Sequence, residues 1–566
     1  MATHQPGNKD FKAGLTQSTN ALTIGLDFGT NSVRALLVDA QSGGEVATSV
    51  FNYPTGQNGI LLSEKELLLA RQNPADYIEG FVTAVRKVLI GVDPKRVKGI
   101  GIAATGSSPM PISRDGSPVC FDPKFKDNLA ANVWIWKDHT SHDEALAITE
   151  KAQSLRRPYT AKCGGIYSSE WFWSKIWHCA NTAPEVFEAS YSWAEISDWI
   201  PAWITGNAAP DEMKHSVCAA GHKAMYAEEW GGLPSRDFLQ SLDPRLADLR
   251  SHLYDDAFTC NKIAGTLTKE FAEKTGLGEG TPVAIGGIDA HFGAIGSGVA
   301  PGVLVKIMGT STCDCMVHPL SDPLPDIPGL CGIVKESILP GYYGLEAGQS
   351  AVGDIFNWFS KFVGISHEKL TLGAEHISAG QSGLVALDWH NGNRTVLVDP
   401  LLTGLIVGET LNTTPFEMYR AYIEATAFGS LRIINRMEEY GVKVDKVVAC
   451  GGIAEKSPLA MQIYADVFNR PVWVAGSSQT CALGAAIVGA VAGGIFKTVQ
   501  EAQKSMAPQP RKVYEPNPNE AAIYKRLYQI YLNLHDCFGG ISNMNLGQVM
   551  KDLIQIRNEV SGNRKN

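Results

Sequence analysis

A chain of 566 residues with 49 basic and 58 acidic side chains carries a formal charge of -9, and 44% of it is hydrophobic and 19% charged. These are globular values, which exclude a largely disordered chain, and the length suits two or three domains of about 100–200 residues. The mildly acidic balance argues against a nucleic-acid or anionic-membrane surface, which needs clustered Lys and Arg, but not against a local anion site built from backbone donors.

Residues 1–21 are polar, with Pro6, Gly7, Asn8, Lys9 and Asp10 among them, and hold no apolar core of a secretory signal. They read as a flexible extension. A strand follows over Leu22 to Asp27, then the turn Phe28-Gly29-Thr30-Asn31-Ser32, a strand over Val33 to Val38, a Ser42-Gly43-Gly44 break and a third strand from Glu45 to Val50. This is a meander whose first turn is polar and contains glycine. Pro74 to Val88 has the period of an amphipathic helix, and Val97 to Ala104 that of a buried strand. Ser168 to Ala180 holds Trp171, Trp173 and Trp177, and Pro282 to Ile288 reads as a buried strand running into Asp289. Core packing accounts for most of these tryptophans; Trp136 and the 171–177 group could also stack on a ligand face.

The strand–Gly-Thr–hydroxyl–strand device then returns. Val303 to Met308, Gly309-Thr310-Ser311-Thr312 and Cys313 to Val317 repeat it 280 residues after Gly29-Thr30. One such unit opening each half predicts two domains of like design facing each other. Beyond it come a long helix over Pro415 to Tyr440, a strand over Val444 to Ala449 ending in Cys450-Gly451-Gly452, and a helix over Ser457 to Asn469. Cys481 to Phe496 is weakly polar and rich in Gly and Ala. It is shorter than the ~20 residues of a spanning helix, so it reads as a buried helix packing through its small residues. Residues 516–538 form a Tyr- and Leu-rich terminal helix. Alternating strands and helices make the chain α/β. Eleven cysteines without a CxxC pair read as reduced, mostly buried thiols of a cytoplasmic protein.

No Gly-Lys dipeptide occurs, so a Walker-A loop is absent, and no GxGxxG follows the first strand. Phosphates must be held another way. Gly lets a backbone approach closely, and successive N–H groups with Thr and Ser hydroxyls form an anion cradle. One such turn alone is an ordinary hairpin; two from opposed domains can clamp one polyphosphate. Asp27, at the end of the first strand, is placed to hold Mg²⁺ through water.

Taken together, the segments IGLDFGTNSVRALLVD (24–39), GIYSSEWFWSKIW (165–177), AGHKAMY (220–226), GGIDAH (286–291), KIMGTSTCD (306–314), GLEAGQSAVGDIF (344–356), LDWHNGNR (387–394), EATAFG (424–429) and CGGIAEKSPLAMQIYADVFNRPV (450–472) resemble the FGGY carbohydrate kinases in their order. The resemblance implies two domains of the actin/hexokinase-like, ribonuclease H-like fold with a cleft between them. The N-terminal domain, residues 22–292, would hold the sugar, the first phosphate loop and the base. The C-terminal domain, residues 302–540, would hold the second loop and the adenosine, with 541–566 as a tail.

The same resemblance implies Asp289 as the base that takes the proton of a sugar hydroxyl, a role a positioned carboxylate can fill in phosphoryl transfer. A helix N-cap is compatible with the same position. Gly106, Lys223 and Glu346 are placed beside the sugar: the lysine donates, the glutamate accepts, and the glycine leaves room. Thr30, Asn31 and Ser32 match the first phosphate loop, and Gly309, Thr310, Ser311 and Thr312 the second. Gly451 and Gly452 match the adenosine segment, where flat glycine backbone lets the purine lie against the chain, and Gly404 borders the nucleotide. Arg34 is open to phosphate, sugar or a salt bridge.

The implied reaction moves the γ-phosphoryl of Mg²⁺·ATP to the terminal hydroxyl, O5, of the ketopentose L-ribulose. D-ribulose and xylulose are the nearby alternatives, and a non-catalytic nucleotide switch on the same fold is the rival of another class. Two departures, Asn31 in place of an acidic or small residue and the lack of an aspartate before Thr105, bear on substrate preference and leave the base untouched. No membrane or nucleic-acid partner is expected, and oligomeric state, a homodimer included, stays open.

Overall fold

The structure, a computed structural model, describes residues 20–562. The extension expected over residues 1–21 therefore lies outside the described residues except for its last two. In the first half, β1 (Leu22–Phe28), β2 (Ser32–Asp39) and β3 (Glu45–Asn52) form an antiparallel meander. Helix α1 (Pro74–Val88) follows. The Asn73 side chain accepts the Ala75 N–H, proline occupies its first turn and Arg86 and Lys87 its last, and Tyr77, Phe81 and Val85 are buried. The chain returns in β4 (Val97–Ala104), parallel to β1. A long insertion carrying α2 (Phe172–Thr182) and α3 (Val217–Lys223) precedes β5 (Ile263–Thr266), β6 (Pro282–Ala284), β7 (Gly287–Ile288) and α4 (Asp289–Gly296). The sheet order is β5-β6-β4-β1-β2-β3, with β7 also on β4.

The strand expected over Pro282 to Ile288 is thus two pieces. The break falls at Ile285-Gly286, where the Ser197 backbone comes so close that a Cβ on Gly286 would lie 1.9 Å from its carbonyl oxygen. At the break the Ile285 N–H donates to the Lys262 carbonyl at 2.9 Å, and pairing with β4 resumes at Gly287.

The second half repeats the plan with β8 (Val303–Met308), β9 (Thr312–Pro319), β10 (Gly332–Lys335), β11 (Tyr342–Ala347), α5 (Gly353–Val363), α6 (Pro415–Glu439), β12 (Lys446–Cys450), α7 (Gly452–Lys456), α8 (Pro458–Phe468), β13 (Val472–Val474), α9 (Thr480–Ala492), β14 (Lys512–Tyr514), α10 (Pro518–Phe538) and α11 (Val549–Gly562). Its sheet runs β10-β11-β9-β8-β12-β13-β14. In both halves the first strand of the Gly-Thr hairpin pairs antiparallel with its hairpin partner and parallel with a later strand, β1 with β4 and β8 with β12. The expectation of two α/β domains of like design holds. Residues 541–566, read as a tail, contain α11, which buries Val549, Leu553 and Ile556.

Helix α9 joins the halves. It belongs to the second by sequence, yet its small residues lie against β1 and β4. A Cβ on Gly25 would lie 1.8 Å from the Ala482 carbonyl oxygen, and one on Gly101 1.8 Å from that of Ala485. Leu36 of β2, Phe292 of α4, Val305 of β8 and Leu483 and Ile487 of α9 share one buried cluster. No helix among the described residues is long and apolar enough to cross a membrane.

Candidate active site

Three strand ends of the first sheet meet at one edge. Asp27 lies near the end of β1, in register with Arg34 on β2. Thr105 follows β4 and donates its N–H to the Phe28 carbonyl at 3.1 Å. Asp289 follows β7, whose Gly287 and Ile288 pair with Ala103 and Ala104, and it opens α4, where its carboxylate accepts the Ala290 N–H at 2.7 Å. Burial raises Asp27 to about 6, with Arg34 pulling the other way. Burial, and then the charge of Asp27, raise Asp289 to about 7, against a smaller opposing pull from the Ala290 N–H and His291. Two carboxylates therefore stand within electrostatic reach of each other in a poorly solvated corner.

The second sheet reaches the same corner. The thiol of Cys481, at the start of α9, is pushed well up by burial and then by Asp27, Asp289 and Cys450 at the end of β12. Glu346, on β11, is bound by groups of the first half. The Lys223 ammonium donates to both its oxygens, at 2.8 and 3.1 Å, and His291 Nε2 stands 2.9 Å from Oε2. Lys223, His291 and Glu346 are all buried. Burial works against the charged form of Glu346, yet Lys223 and His291 hold it well below the usual carboxylate range. Lys223 is in turn held up by Glu346 against the pull of burial. The indole of Trp171 flanks this ammonium at 5.6 Å.

Gly106 sits against Ile288, the residue before the expected base; a Cβ there would lie 2.6 Å from the Ile288 side chain. An added side chain would crowd Ile288, so the glycine serves this packing. Two buried charged residues that the sequence reading gave no role hold the loop after Gly106. Glu195 accepts the Ser107 hydroxyl and the Ser108 N–H. Lys175 donates to the carbonyls of Ser107, Trp134 and Ile135 at 3.0, 3.2 and 2.9 Å. The only sequence signal for Lys175 was a lysine inside an aromatic helix.

In the first Gly-Thr turn the Gly29 N–H donates to the Ser32 carbonyl at 3.0 Å. Thr30 Oγ1 accepts the Trp136 indole N–H at 3.1 Å, so Trp136 buttresses the loop. The Asn31 amide donates to the Asn58 carbonyl at 2.7 Å. In the second turn the Gly309 N–H donates to the Ser311 carbonyl at 2.9 Å, and N–H groups at the start of α5 donate to the Gly309 and Thr310 carbonyls. Thr312 departs from the expected cradle: it is buried, and its hydroxyl accepts the Gln349 N–H at 3.0 Å and faces Lys306, which pairs with Asp314.

Gly451 has φ +91 and abuts the end of β8, where a Cβ would lie 2.6 Å from the Met308 carbonyl oxygen, just before the second loop. Gly452 begins the short helix α7 and is not part of a flat run. Gly404 lies against the His390 imidazole, which packs on Trp358 of α5, so it reaches the second loop through that helix. A further link between the halves is the Arg394–Glu170 pair at 3.0 Å.

The models of the FGGY family of carbohydrate kinases match this chain, the N-terminal domain over residues 22–296 and the C-terminal domain over residues 304–493. A ribulokinase of Geobacillus thermodenitrificans is 43% identical over 555 residues, 94% of this chain and 96% of that protein. One of Vibrio parahaemolyticus is 39% identical, covering 94% of this chain and 98% of its own length. Among solved structures, a xylulose kinase of Brucella ovis superposes with a TM-score of 0.77 at 20% identity, covering 92% of this chain and all of that one. The glycerol kinase of Plasmodium falciparum with ADP does so with 0.73 at 16% identity, covering 91% and 98%. The chain belongs to the FGGY family of carbohydrate kinases.

Proposed function

We propose that the protein is an ATP-dependent ribulokinase that phosphorylates L-ribulose at O5, with Asp289 as general base. The observation that supports it most directly is the placement of Asp289, next to the Gly106 loop and raised to about 7, on the helix that also carries His291 to Glu346. Lys223 and Glu346 give a polyhydroxylated ligand a donor and an acceptor fixed against each other, as a closed polar pocket requires. As O5 of the ketose attacks the γ-phosphorus, its proton passes to an Asp289 oxygen and the bond to the leaving ADP breaks. The Gly29–Ser32 and Gly309–Ser311 turns hold the phosphates, and the Gly451-Gly452 start of α7 and Gly404 border the adenosine.

Asp27 fits a divalent cation: it is a carboxylate at a strand end that burial leaves short of solvent, the oxygen donor Mg²⁺ prefers. When bound with ATP, Mg²⁺ neutralises phosphate charge. The setting we propose is the cytoplasm, where eleven free cysteines, eight of them buried, are at home.

The test is ADP release measured across L-ribulose, D-ribulose, both xyluloses and glycerol. A clear preference for L-ribulose is expected. Equal turnover of the ketopentoses would overturn the substrate assignment, and ATP binding with no sugar phosphorylation would overturn the enzyme.

A further inference from the structure

Besides Lys223, Glu346 faces two imidazoles. Ligand atoms of His222, His291 and Glu346 all lie within 4.8 Å of one another, and all three residues are buried. His222 Nε2 lies 2.9 Å from the Ser337 hydroxyl oxygen. That hydroxyl spends its proton on the Val334 carbonyl, at 3.1 Å. With the hydroxyl proton so placed, the Ser337 oxygen accepts, His222 carries its proton on Nε2 and Nδ1 is a bare lone pair. This Nδ1 has no hydrogen-bond partner and points at Glu346 Oε2, 3.5 Å away. A buried lone pair facing a carboxylate oxygen is repulsive, and a cation between them removes the repulsion.

The other donors are oriented as metal ligands usually are, each held by an outer partner. His291 Nδ1 contacts the Cys218 sulfur at 2.9 Å, leaving Nε2 toward Glu346 Oε2. Lys223 donates to both Glu346 oxygens, to Oε1 at 2.8 Å and to Oε2 at 3.1 Å, so an ion at Oε2 shares that oxygen with the ammonium. Gly332 packs closely at Nδ1, where a Cβ would lie 2.0 Å away, so any side chain at that position would block the lone pair. We infer that His222 Nδ1, His291 Nε2 and Glu346 Oε2 form a binding site for a divalent transition-metal ion of the zinc class.

Two imidazoles and one carboxylate are a donor set for Zn²⁺ and a poor one for Mg²⁺ or Ca²⁺. Two bonds of about 2.0–2.2 Å span roughly 3.3–3.6 Å at a tetrahedral ion, so His222 Nδ1 and Glu346 Oε2, 3.5 Å apart, already fit, His291 Nε2 and Oε2, 2.9 Å apart, open by about 0.5 Å, and the two imidazoles close by up to about 1 Å from the 4.8 Å that bounds the group. The ion takes the place of the proton between His291 Nε2 and Glu346 Oε2. The site draws one ligand from the second domain and two from the first, so an occupied site also ties the domains together. It removes Glu346 Oε2 from the ketose; this consequence, unlike the binding itself, rests on the sugar-kinase reading above.

The experiment is a titration of the metal-free, full-length protein with Zn²⁺ alone, without nucleotide or sugar, followed by calorimetry and by the visible spectrum of Co²⁺ as a substitute ion. One ion per chain is expected, with a low-symmetry Co²⁺ spectrum. Affinity should fall in His222→Phe by more than the ~10–100-fold that loss of an outer-shell partner costs. Ser337→Ala removes only the outer partner, so its milder loss keeps the test readable if the His222 variant folds poorly. No binding, or binding of equal strength in wild type and His222→Phe, overturns the site. In the assay with Mg²⁺·ATP, Zn²⁺ inhibition relieved by raising the ketose and not by raising ATP is expected; the reverse pattern overturns the coupling to the sugar. Zinc binding without any kinase activity would instead sink the functional reading and leave the site standing.

Discussion

A carboxylate that must take a proton from a sugar hydroxyl near neutral pH is poorly matched to the task at its ordinary value of 3.8, and better matched at about 7. Burial is the largest cause of that rise and Asp27 the next, so Asp289 is protonated below about pH 7, and with Asp289 as the base we propose, the rate should fall with it. We expect kcat/KM for the ketose to show an acid limb near that value; a flat profile across about pH 5 to 9 would rule out Asp289 as the base. Replacing Asp289 by Asn should lower kcat by about 10²–10⁴ while ATP binding persists. The same shift predicts a stability effect. The folded protein holds the Asp289 proton more tightly than the unfolded chain, so stability falls as pH rises from about 4 to 7. Asp289→Asn should therefore raise Tm at pH 8 relative to wild type and change it little at pH 4; a difference independent of pH would contradict the burial of this carboxylate. The place of Asp289 at a strand end was legible because a strand–glycine–carboxylate pattern is local. The grip of His291 on Glu346 was not, since its partner lies 55 residues away on the other sheet.

Elements were read well where a period and its end signals agree. Pro74 to Val88 and Val97 to Ala104 appear with the bounds expected. The small-residue run after Cys481 is a buried helix, as its length and composition imply. The sequence did not say what this helix packs on. Glycines on β1 and β4 receive it, backbone against backbone, and those contacts cannot yield as a flexible side chain could. Gly101→Ala places a Cβ 1.8 Å from the Ala485 carbonyl oxygen. We expect a loss at or above the ~1–3 kcal/mol typical of overpacking, read as a fall in Tm. Gly278→Ala, whose nearest neighbour is the Thr281 hydroxyl at 3.7 Å, should change stability by no more than ~0.5 kcal/mol. Equal effects of the two would show that α9 is free to move away from the sheet.

At the scale of the molecule, Lys223–Glu346 and Arg394–Glu170 both run between the halves and place charge across the cleft. Closure of such a cleft expels water from the phosphoryl group and so limits futile hydrolysis of ATP. Arg394→Gln leaves Glu170 without this partner, and a hydrogen bond to a charged group is worth ~1.5–3 kcal/mol, about 10–100-fold. We expect kcat/KM for the ketose to fall within that range; an unchanged value would remove this pair from the closing motion. The sequence by itself determined the paired Gly-Thr hairpins, the α/β alternation and the carboxylate after Gly286-Gly287, because hydrophobic period and turn chemistry act over a few residues. Tertiary structure alone decided that Thr312 turns inward, that Gly452 opens a helix, that the Pro282–Ile288 strand breaks and that two histidines meet one glutamate. Those outcomes depend on close approach between segments distant along the chain, which packing sets and local pattern does not record.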